Sequence, residues 1–534
     1  MIKKSMLLLF MLITVSLFSQ TSTSTIVKRG PYLQSGTSTS VIVKWRTNIA
    51  TASVVNYGTK LDSLFKNQTN KKQTTEHEVL LSGLLPNTKY YFNIGNQKEV
   101  LSESISGDMY VVTAPKVGTD QFVRAWILGD PGTDNKSQRN VRDAYYKYVD
   151  SDSINPGKTD MMLLLGDNAY SSGTDEEYKL AFFDVYDEML KKSVAWSCLG
   201  NHDGYTADSD TQSGPYYDIF TFPKKAEAGG IASGTEAYYS FNYANIHFII
   251  LDSHHSSRAV GDAMYNWALS DIQNTKQDWI VTLFHHPAYS KGSHDSDVED
   301  RLIEMRENFM PMLEANGIDL VLNGHSHSYE RSYFLNGHHG FSNTFNANQT
   351  TKGGNIVSEN GNGDGKINGN GAYKKTNIDT KGAVYITTGS SGQISGGELN
   401  HKAMYISLNK LGSCVMEIDD DGKGGQNLTV KFLRDNNEID DYFTINKSNI
   451  TVKPEIEKEV TKSEKSFIAP INGLLTININ PTEKLKSVKF YNTIGQLIKE
   501  SKHNKIDVKK MELGTYVLEI TTDKKTFYKS VLLK

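Results

Sequence analysis

An α/β core flanked on both sides by all-β domains is the fold this sequence predicts, and three observations predict it. Five short, nearly continuous apolar runs, VRAWIL (123–128), MMLLL (161–165), VAWSCL (194–199), WIVTLF (279–284) and IDLVL (318–322), have the length and character of strands buried on both faces. Between them apolar residues recur at helix spacing: Val141, Ala144, Tyr145 and Tyr148, then Leu302, Met305, Phe309 and Leu313, the second pattern stopping at Gly317. Before Pro115 and after residue 467 the pattern changes to the period-two alternation of half-buried strands. At 534 residues the chain exceeds what one core organises, and 38% hydrophobic with 22% charged residues is an ordinary globular composition.

In chain order, residues 1–20 carry Lys3 and Lys4, then MLLLFMLITVSLF, then Ser19-Gln20. That apolar run is too short to span a bilayer and reads as a cleaved signal peptide. No later stretch approaches eighteen apolar residues, so the mature protein is expected to lack a transmembrane helix and to be secreted or held at the cell surface. Residues 25–115 hold VIVKW, SVVNYG and a run around Tyr90 to Ile94. The spacing Leu84, Pro86, Thr88, Tyr90 lets Tyr90 fold back on the upstream backbone, the tyrosine corner of β-sandwiches, so the segment reads as an immunoglobulin-like or fibronectin type III-like domain.

Residues 119–450 contain the α/β core. Its Gly- and Asn-rich stretch from about Tyr333 to Thr380 reads as a long surface loop; Asn360, Asn362, Asp364 and Gly365 echo the start of a calcium loop, but Gly371 stands where the closing acid belongs. Residues 451–466 are charged and almost without apolar side chains, a linker composition. In residues 467–534, Leu475, Ile477 and Ile479, then Tyr516, Leu518 and Ile520, alternate with polar residues and predict a small β domain. Cys198 lies inside an apolar strand, so Cys198 and Cys414 are read as buried free thiols, although export would permit a disulfide. The formal charge of −4 combines a Lys-rich tail, 16 Lys against 10 acids in residues 451–534, with an acidic remainder, and nothing in it resembles a nucleic-acid footprint.

Each apolar run of the core ends at metal-ligating residue types. GDPG (129–132) supplies Asp130, GDNAY (166–170) Asp167 and Tyr170, GNHD (200–203) Asn201, HHP (285–287) His285 or its neighbour His286, and NGHSH (323–327) His325 and His327. In open α/β sheets ligands collect outside the carboxyl ends of the strands, so loops that all follow strands can converge on one point. Hard oxygen donors mixed with imidazoles suit iron, zinc or manganese. Two such ions about 3.5–4 Å apart meet the needs of phosphate ester hydrolysis, a nucleophile active near neutral pH and positive charge on the phosphoryl oxygens, and Asp167 is the carboxylate placed to bridge them. A phenol with a pKa of about 10 ionises easily only against a strongly Lewis-acidic ion, so Tyr170 argues for trivalent iron. Other histidines have plainer readings: His247, within the apolar strand IHFIIL, as a satisfied core residue, and His254, His255, His338 and His339 as solvent-facing loop residues.

Taken together, GDPG, GDNAY, GNHD, FHHP and NGHSHSYERS resemble the motif set of the purple acid phosphatases, a branch of the calcineurin-like metallophosphoesterases. RGPYLQ (29–34) and YYSFNYANIHFIILDS (238–253) are similar to the same family. The resemblance covers roughly residues 25–450 and implies a calcineurin-like metallophosphoesterase β-sandwich flanked by helices. It implies that Asp130, Tyr170 and His327 bind Fe(III), that Asp167 bridges, and that Asn201, His285 and His325 hold a divalent Zn, Fe or Mn, His285 being preferred to His286 as first residue of the family's H-x-P pattern. His202 and His294 fall where the family places histidines that contact the substrate phosphate and protonate the leaving group, while Asp295 stands where the plant enzymes tend to have a second histidine. YNTIGQLIKE, LGTY (513–516) and FYKSVLLK resemble type IX secretion sorting domains of Bacteroidetes, which implies the type IX machinery as a partner. The expected function is an exported acid phosphatase that hydrolyses small-molecule phosphate monoesters with a metal-bound hydroxide nucleophile. The alternatives are a phosphodiesterase or nucleotide pyrophosphatase on the same scaffold and, more remotely, a non-catalytic surface binding module.

Overall fold

A computed structural model describes residues 24–103, 106–348, 361–375, 381–422, 424–447, 474–477, 482–491, 497–511, 514–524 and 526–533; the expected signal peptide (1–20) and linker (451–466) lie outside them.

Residues 27–112 form six strands in one connected sheet system. VIVKW and SVVNYG, read as two strands, belong to one long strand, Ser40–Gly58, because the residues between them are β-compatible and include neither Gly nor Pro. Its register against Lys66–Ser82 shifts between Arg46 and Ser53, so the first half pairs with Val27–Gln34 and the second with Lys89–Gly95. The fold therefore wraps around a core of Trp45, Val55, Val79, Leu81, Phe92 and Ile94. The Tyr90 hydroxyl accepts a 3.0 Å hydrogen bond from the Leu85 N–H, the tyrosine corner that the spacing predicts.

The core is two seven-stranded sheets packed face to face. In one, Val123–Leu128, Met161–Leu164 and Val194–Ser197 run parallel, and Gly412–Asp420, Gln426–Arg434 and Ile439–Lys447 continue it antiparallel. In the other, Ile246–Ile250, Trp279–Leu283, Leu320–Asn323 and Val384–Thr388 run parallel. All five predicted apolar runs are strands whose residues are buried throughout, as strands covered on both faces must be. Aromatic stacking joins the sheets: Trp196 lies 3.9 Å from Phe241, and Tyr329 4.1 Å from Phe432. Arg331 and Asp441, both without exposed side-chain surface, add a bidentate ion pair between the sheets at 2.6 and 3.1 Å.

The predicted helices appear as Lys136–Asp150, capped by the Asn135 side chain, and as a continuous run from Asp300 to Ala315 that widens to π geometry over Met305–Phe309 before Gly317. RGPYLQ docks the amino-terminal domain on the core. The Tyr32 hydroxyl donates to the Ile219 carbonyl at 2.8 Å, the Gln34 amide spans from the Ala195 carbonyl to the Thr221 N–H, and Arg29 pairs with Asp175 at 2.8 Å. After residue 474, Leu485–Tyr491, Leu497–Ser501, Gly514–Thr522 and Thr526–Leu533 form a four-stranded sheet, with Leu475, Ile477, Leu518 and Ile520 in its small core. Cys198 and Cys414 are buried and unpaired. Among the described residues no helix is long and apolar enough to cross a membrane.

Candidate metal centre

The carboxyl ends of the parallel strands in both sheets open onto one place. Three strands of the first sheet deliver Asp130, Asp167, Tyr170, Asn201 and His202, and two of the second deliver His285, His325 and His327. Asp130, Asp167 and His325 adopt left-handed backbone, with φ of 53°, 54° and 67°. Non-glycine residues hold that conformation at a cost of roughly 1–2 kcal/mol each, so the surrounding loops must over-determine it.

Those loops are tied to one another. Asp203 is fully buried, and its carboxylate accepts from the N–H groups of Asp167 (2.8 Å), Gly200 (2.9 Å) and Asn168 (3.1 Å), from the Asn168 amide (3.1 Å) and from the Tyr178 hydroxyl (2.6 Å). Burial, then the nearby Asp167 charge, pushes its pKa up to about 6. Asp130 and Asp167 each have one carboxylate oxygen held by backbone and one facing the cluster. Asp130 Oδ2 accepts from the His325 N–H at 2.7 Å and Asp167 Oδ1 from the His202 N–H at 2.8 Å.

The remaining donor atoms fall into two groups. In the first, the Tyr170 hydroxyl lies 3.1 Å from each of Asp130 Oδ1, Asp167 Oδ2 and His327 Nε2. In the second, Asn201 Oδ1 lies 2.9 Å from His285 Nε2 and 3.0 Å from His325 Nδ1. Asp167 Oδ2 belongs to both, since it is also 3.4 Å from His285 Nε2. All seven residues singled out as ligands are thus contiguous. His285 faces the centre because its Nδ1–H donates to the Leu165 carbonyl at 2.8 Å, whereas His286 turns its Nδ1 to the Ser253 hydroxyl at 2.9 Å. His327 is oriented likewise by Ser395 Oγ, 2.8 Å from its Nδ1.

The donor set fits cations. Ligand atoms bonded to one ion at about 2.0–2.2 Å stand roughly 3.0–3.5 Å apart, which is the spacing found within each group. Charge points the same way, because Asp130 and Asp167 are essentially inaccessible to solvent and both face into the cluster. Burial depresses His285, but Asp167 and then Asp130 overcome it and hold its pKa at about 9; burial takes His325 down to about 4. Burial and the two carboxylates raise Tyr170 well above an ordinary phenol. A cation among these groups reverses the cost of a phenolate and an imidazole lone pair.

His202 and His294 flank the cluster. His202 gives its Nδ1–H to the Ser171 carbonyl at 2.6 Å, which leaves Nε2 toward the centre, 4.0 Å from Asp167 Oδ2. His294 stacks on His325 with ring centres 3.7 Å apart, and its Nδ1 meets the Glu299 carboxylate at 3.0 and 3.1 Å. Glu299 also approaches His325 Nε2 at 3.5 Å, a partner that the sequence reading missed.

Other expectations divide. His247 is a core residue bonded to Asn242 and Asp271, and His255 is exposed. Three of the histidines read as solvent-facing need correction: His254 is half-buried against His286, His338 is buried against Tyr289 and Phe345, and His339 is half-buried and pairs with Glu314 at 2.9 Å. The flanking Asn336, Gly337 and Gly340 suggested a solvent-facing turn, but this loop folds under the Tyr289 hydroxyl, which donates to the His338 carbonyl. Asp364 accepts from the N–H groups of Lys366 and Asn370 and so closes its own loop; Asn360 lies outside the described residues.

Residues 123–329 match the calcineurin-like phosphoesterase family. The chain carries a calcineurin-like phosphoesterase domain. Residues 30–108 match the purple acid phosphatase N-terminal domain and residues 468–534 a secretion system C-terminal sorting domain, so the calcineurin-like core stands between a purple-acid-phosphatase module and a sorting module. Similar proteins include a purple acid phosphatase of Glycine max, 26% identical over 48% of this chain and 52% of its own length, and Fe(3+)-Zn(2+) purple acid phosphatase 12 of Arabidopsis thaliana, 27% identical with the same shares. The chain thus spans about half the length of the curated relatives it matches. Among solved structures, a purple acid phosphatase from yellow lupin (Lupinus luteus) seeds superposes with a TM-score of 0.59 at 16% identity over 79% of this chain and 75% of the other, and PhoD with 0.52 at 11% identity over 76% and 85%. These likenesses concern the fold.

Proposed function

We propose that this protein is an exported phosphatase that hydrolyses small-molecule phosphate monoesters at a centre of two metal ions, Fe(III) and a divalent Zn, Fe or Mn. The observation that carries the reading is the shared oxygen, Asp167 Oδ2, which stands in both donor groups, where a carboxylate bridging through one oxygen would put it. Asp130, Tyr170 and His327 would hold the trivalent ion with Asp167, and Asn201, His285 and His325 the divalent one. Two ions in these positions supply positive charge for the phosphoryl oxygens and a nucleophile active near neutral pH.

The protein's own groups do the rest. His202 is fixed by the Ser171 carbonyl so that Nε2 is free to bind a phosphoryl oxygen. His294, clamped by Glu299, would pass a proton to the departing alcohol, a role that contributes ~10²-fold or more. The carboxyl-terminal domain, by its sorting-family match, supports passage through a type IX secretion system to the cell surface or beyond.

Metal quantification with turnover of p-nitrophenyl phosphate and bis-p-nitrophenyl phosphate tests the reading. Two metal equivalents per chain and preference for the monoester are expected, with Asp167→Ala losing both activity and metal. Near-normal turnover by Asp167→Ala would refute the bridge, and preference for the diester would replace monoesterase by phosphodiesterase.

A further inference from the structure

Exposed apolar side chains stand beside the groups that orient the site. Tyr205 is 65% exposed, Val298 70% and Ile394 41%. Val298 directly precedes Glu299, the carboxylate that clamps His294, and Ile394 directly precedes Ser395, whose hydroxyl orients His327. Tyr205 is placed most tellingly. Its ring meets that of His202 edge-on at 5.3 Å, and the His202 ring lies 4.5 Å from that of Tyr170, so three rings step outward from the donor cluster to solvent.

The mount of Tyr205 is firm although its ring is free. It closes a single 3₁₀ turn, Asp203–Tyr205, that begins at the buried, five-fold bonded Asp203. Its own N–H bonds the His202 carbonyl at 3.4 Å, and the Gly204 backbone lies so close to the His254 ring that a Cβ there would stand 2.5 Å from it. A large aromatic side chain carried on a fixed backbone beside the site, with most of its surface open to water, gives up the burial that would stabilise it in the free protein. It offers that surface to whatever binds there.

We propose that Tyr205 is a specificity-determining residue that stacks on the leaving group, and that the preferred substrates are phosphate monoesters of aromatic or otherwise planar alcohols. This rests on the phosphatase reading above. The Tyr205 ring is the exposed end of the ring series that starts at the donor cluster, so a phosphate ester bound at His202 would carry its alcohol within reach of that ring. Hydrogen bonding by its hydroxyl plays no part; the flat ring face does.

The experiment compares kcat/KM for 1-naphthyl phosphate and glycerol 2-phosphate in the metal-loaded full chain and in Tyr205→Ala, Tyr205→Leu, Tyr205→Phe and Tyr205→Trp, with inhibition by inorganic phosphate as a check on the phosphoryl site. Stacking is worth about a tenfold preference, so the naphthyl-to-glycerol ratio should fall about tenfold in Tyr205→Ala and Tyr205→Leu and be kept within about twofold in Tyr205→Phe and Tyr205→Trp. Equal loss on both esters, or an unchanged ratio in Tyr205→Ala, would overturn the inference while leaving the phosphatase reading intact. Absence of turnover of either ester by the wild-type holoenzyme would overturn both.

Discussion

Asp203 is where the loops of the centre are most open to a decisive perturbation. It is not placed as a ligand, yet five donors converge on its two oxygens. Asp203→Asn preserves volume and removes one acceptor. The amide can be turned so that its oxygen keeps the Asp167 and Gly200 N–H groups; its NH₂ then faces the Asn168 N–H, and that buried donor is orphaned. One orphaned buried N–H costs about 1–3 kcal/mol, so a loss of about 2 kcal/mol is expected in urea unfolding of the metal-free protein. The larger effect falls on the ions, because the same N–H groups set the positions of Asp167 and the Asn201 loop. Outer hydrogen-bond partners of metal ligands typically govern 10–100-fold in affinity, and chelator competition should show a loss of that size. Stability within about 0.5 kcal/mol of wild type together with unchanged metal affinity would refute the reasoning.

Tyr170→Phe should abolish the pink to violet charge-transfer absorption expected of an iron(III)–phenolate pair; an unaltered visible spectrum would remove Tyr170 from the iron. His77, bonded to Thr47 and Ser53 and stacked on Trp45 at 4.6 Å, has a pKa lowered to about 4 by burial. Because its folded pKa lies below the unfolded value of about 6.5, the unfolded chain binds the proton more readily, and stability present above pH 6.5 is lost as pH falls toward 4. Discounted for solvent screening the contribution is ~1 kcal/mol, and denaturation curves at pH 4.5 and 7.5 should show that His77→Gln reduces the difference by that amount. An equal difference in the two proteins would show that His77 does not titrate in this way.

What was legible in the sequence is what local chemistry encodes. Apolar runs gave the central strands, and the Leu84 to Tyr90 spacing gave the corner. The residues that escaped notice depend on contacts between distant segments. Arg331 finds Asp441 across 110 positions, and Glu299 reaches His325 from a different loop. Nothing in the neighbourhood of either acid distinguishes it from a solvated surface residue. His338 was misread for the converse reason: its neighbours are turn formers, and only the packing of Tyr289 beneath them shows that the turn faces inward. The long strand Ser40–Gly58 shows that an absence of breakers carries as much information as the presence of strand formers.

Convergence of these loops is recorded in the glycines that precede Asp167, Asn201 and His325. A Cβ on Gly200 would stand 2.2 Å from both the Asp167 backbone nitrogen and its Oδ1, and one on Gly324 would stand 2.5 Å from Asp130 Oδ2. In each case the obstacle is a ligand carried by another loop, so each glycine marks where its neighbour's ligand arrives. Gly200→Ala therefore separates two kinds of damage. The strands beneath, buried and paired with one another, should keep their circular dichroism, while the Asp167 and Asn201 loops must part by about 1 Å to regain ordinary van der Waals contact. A displacement of that size takes Asp167 Oδ2 out of reach of one donor group, and about half the bound metal should be lost together with nearly all turnover. Full metal occupancy with wild-type turnover in a folded Gly200→Ala protein would mean that the loops can yield without moving the ligands, and the interlocked arrangement would not be what sets the site.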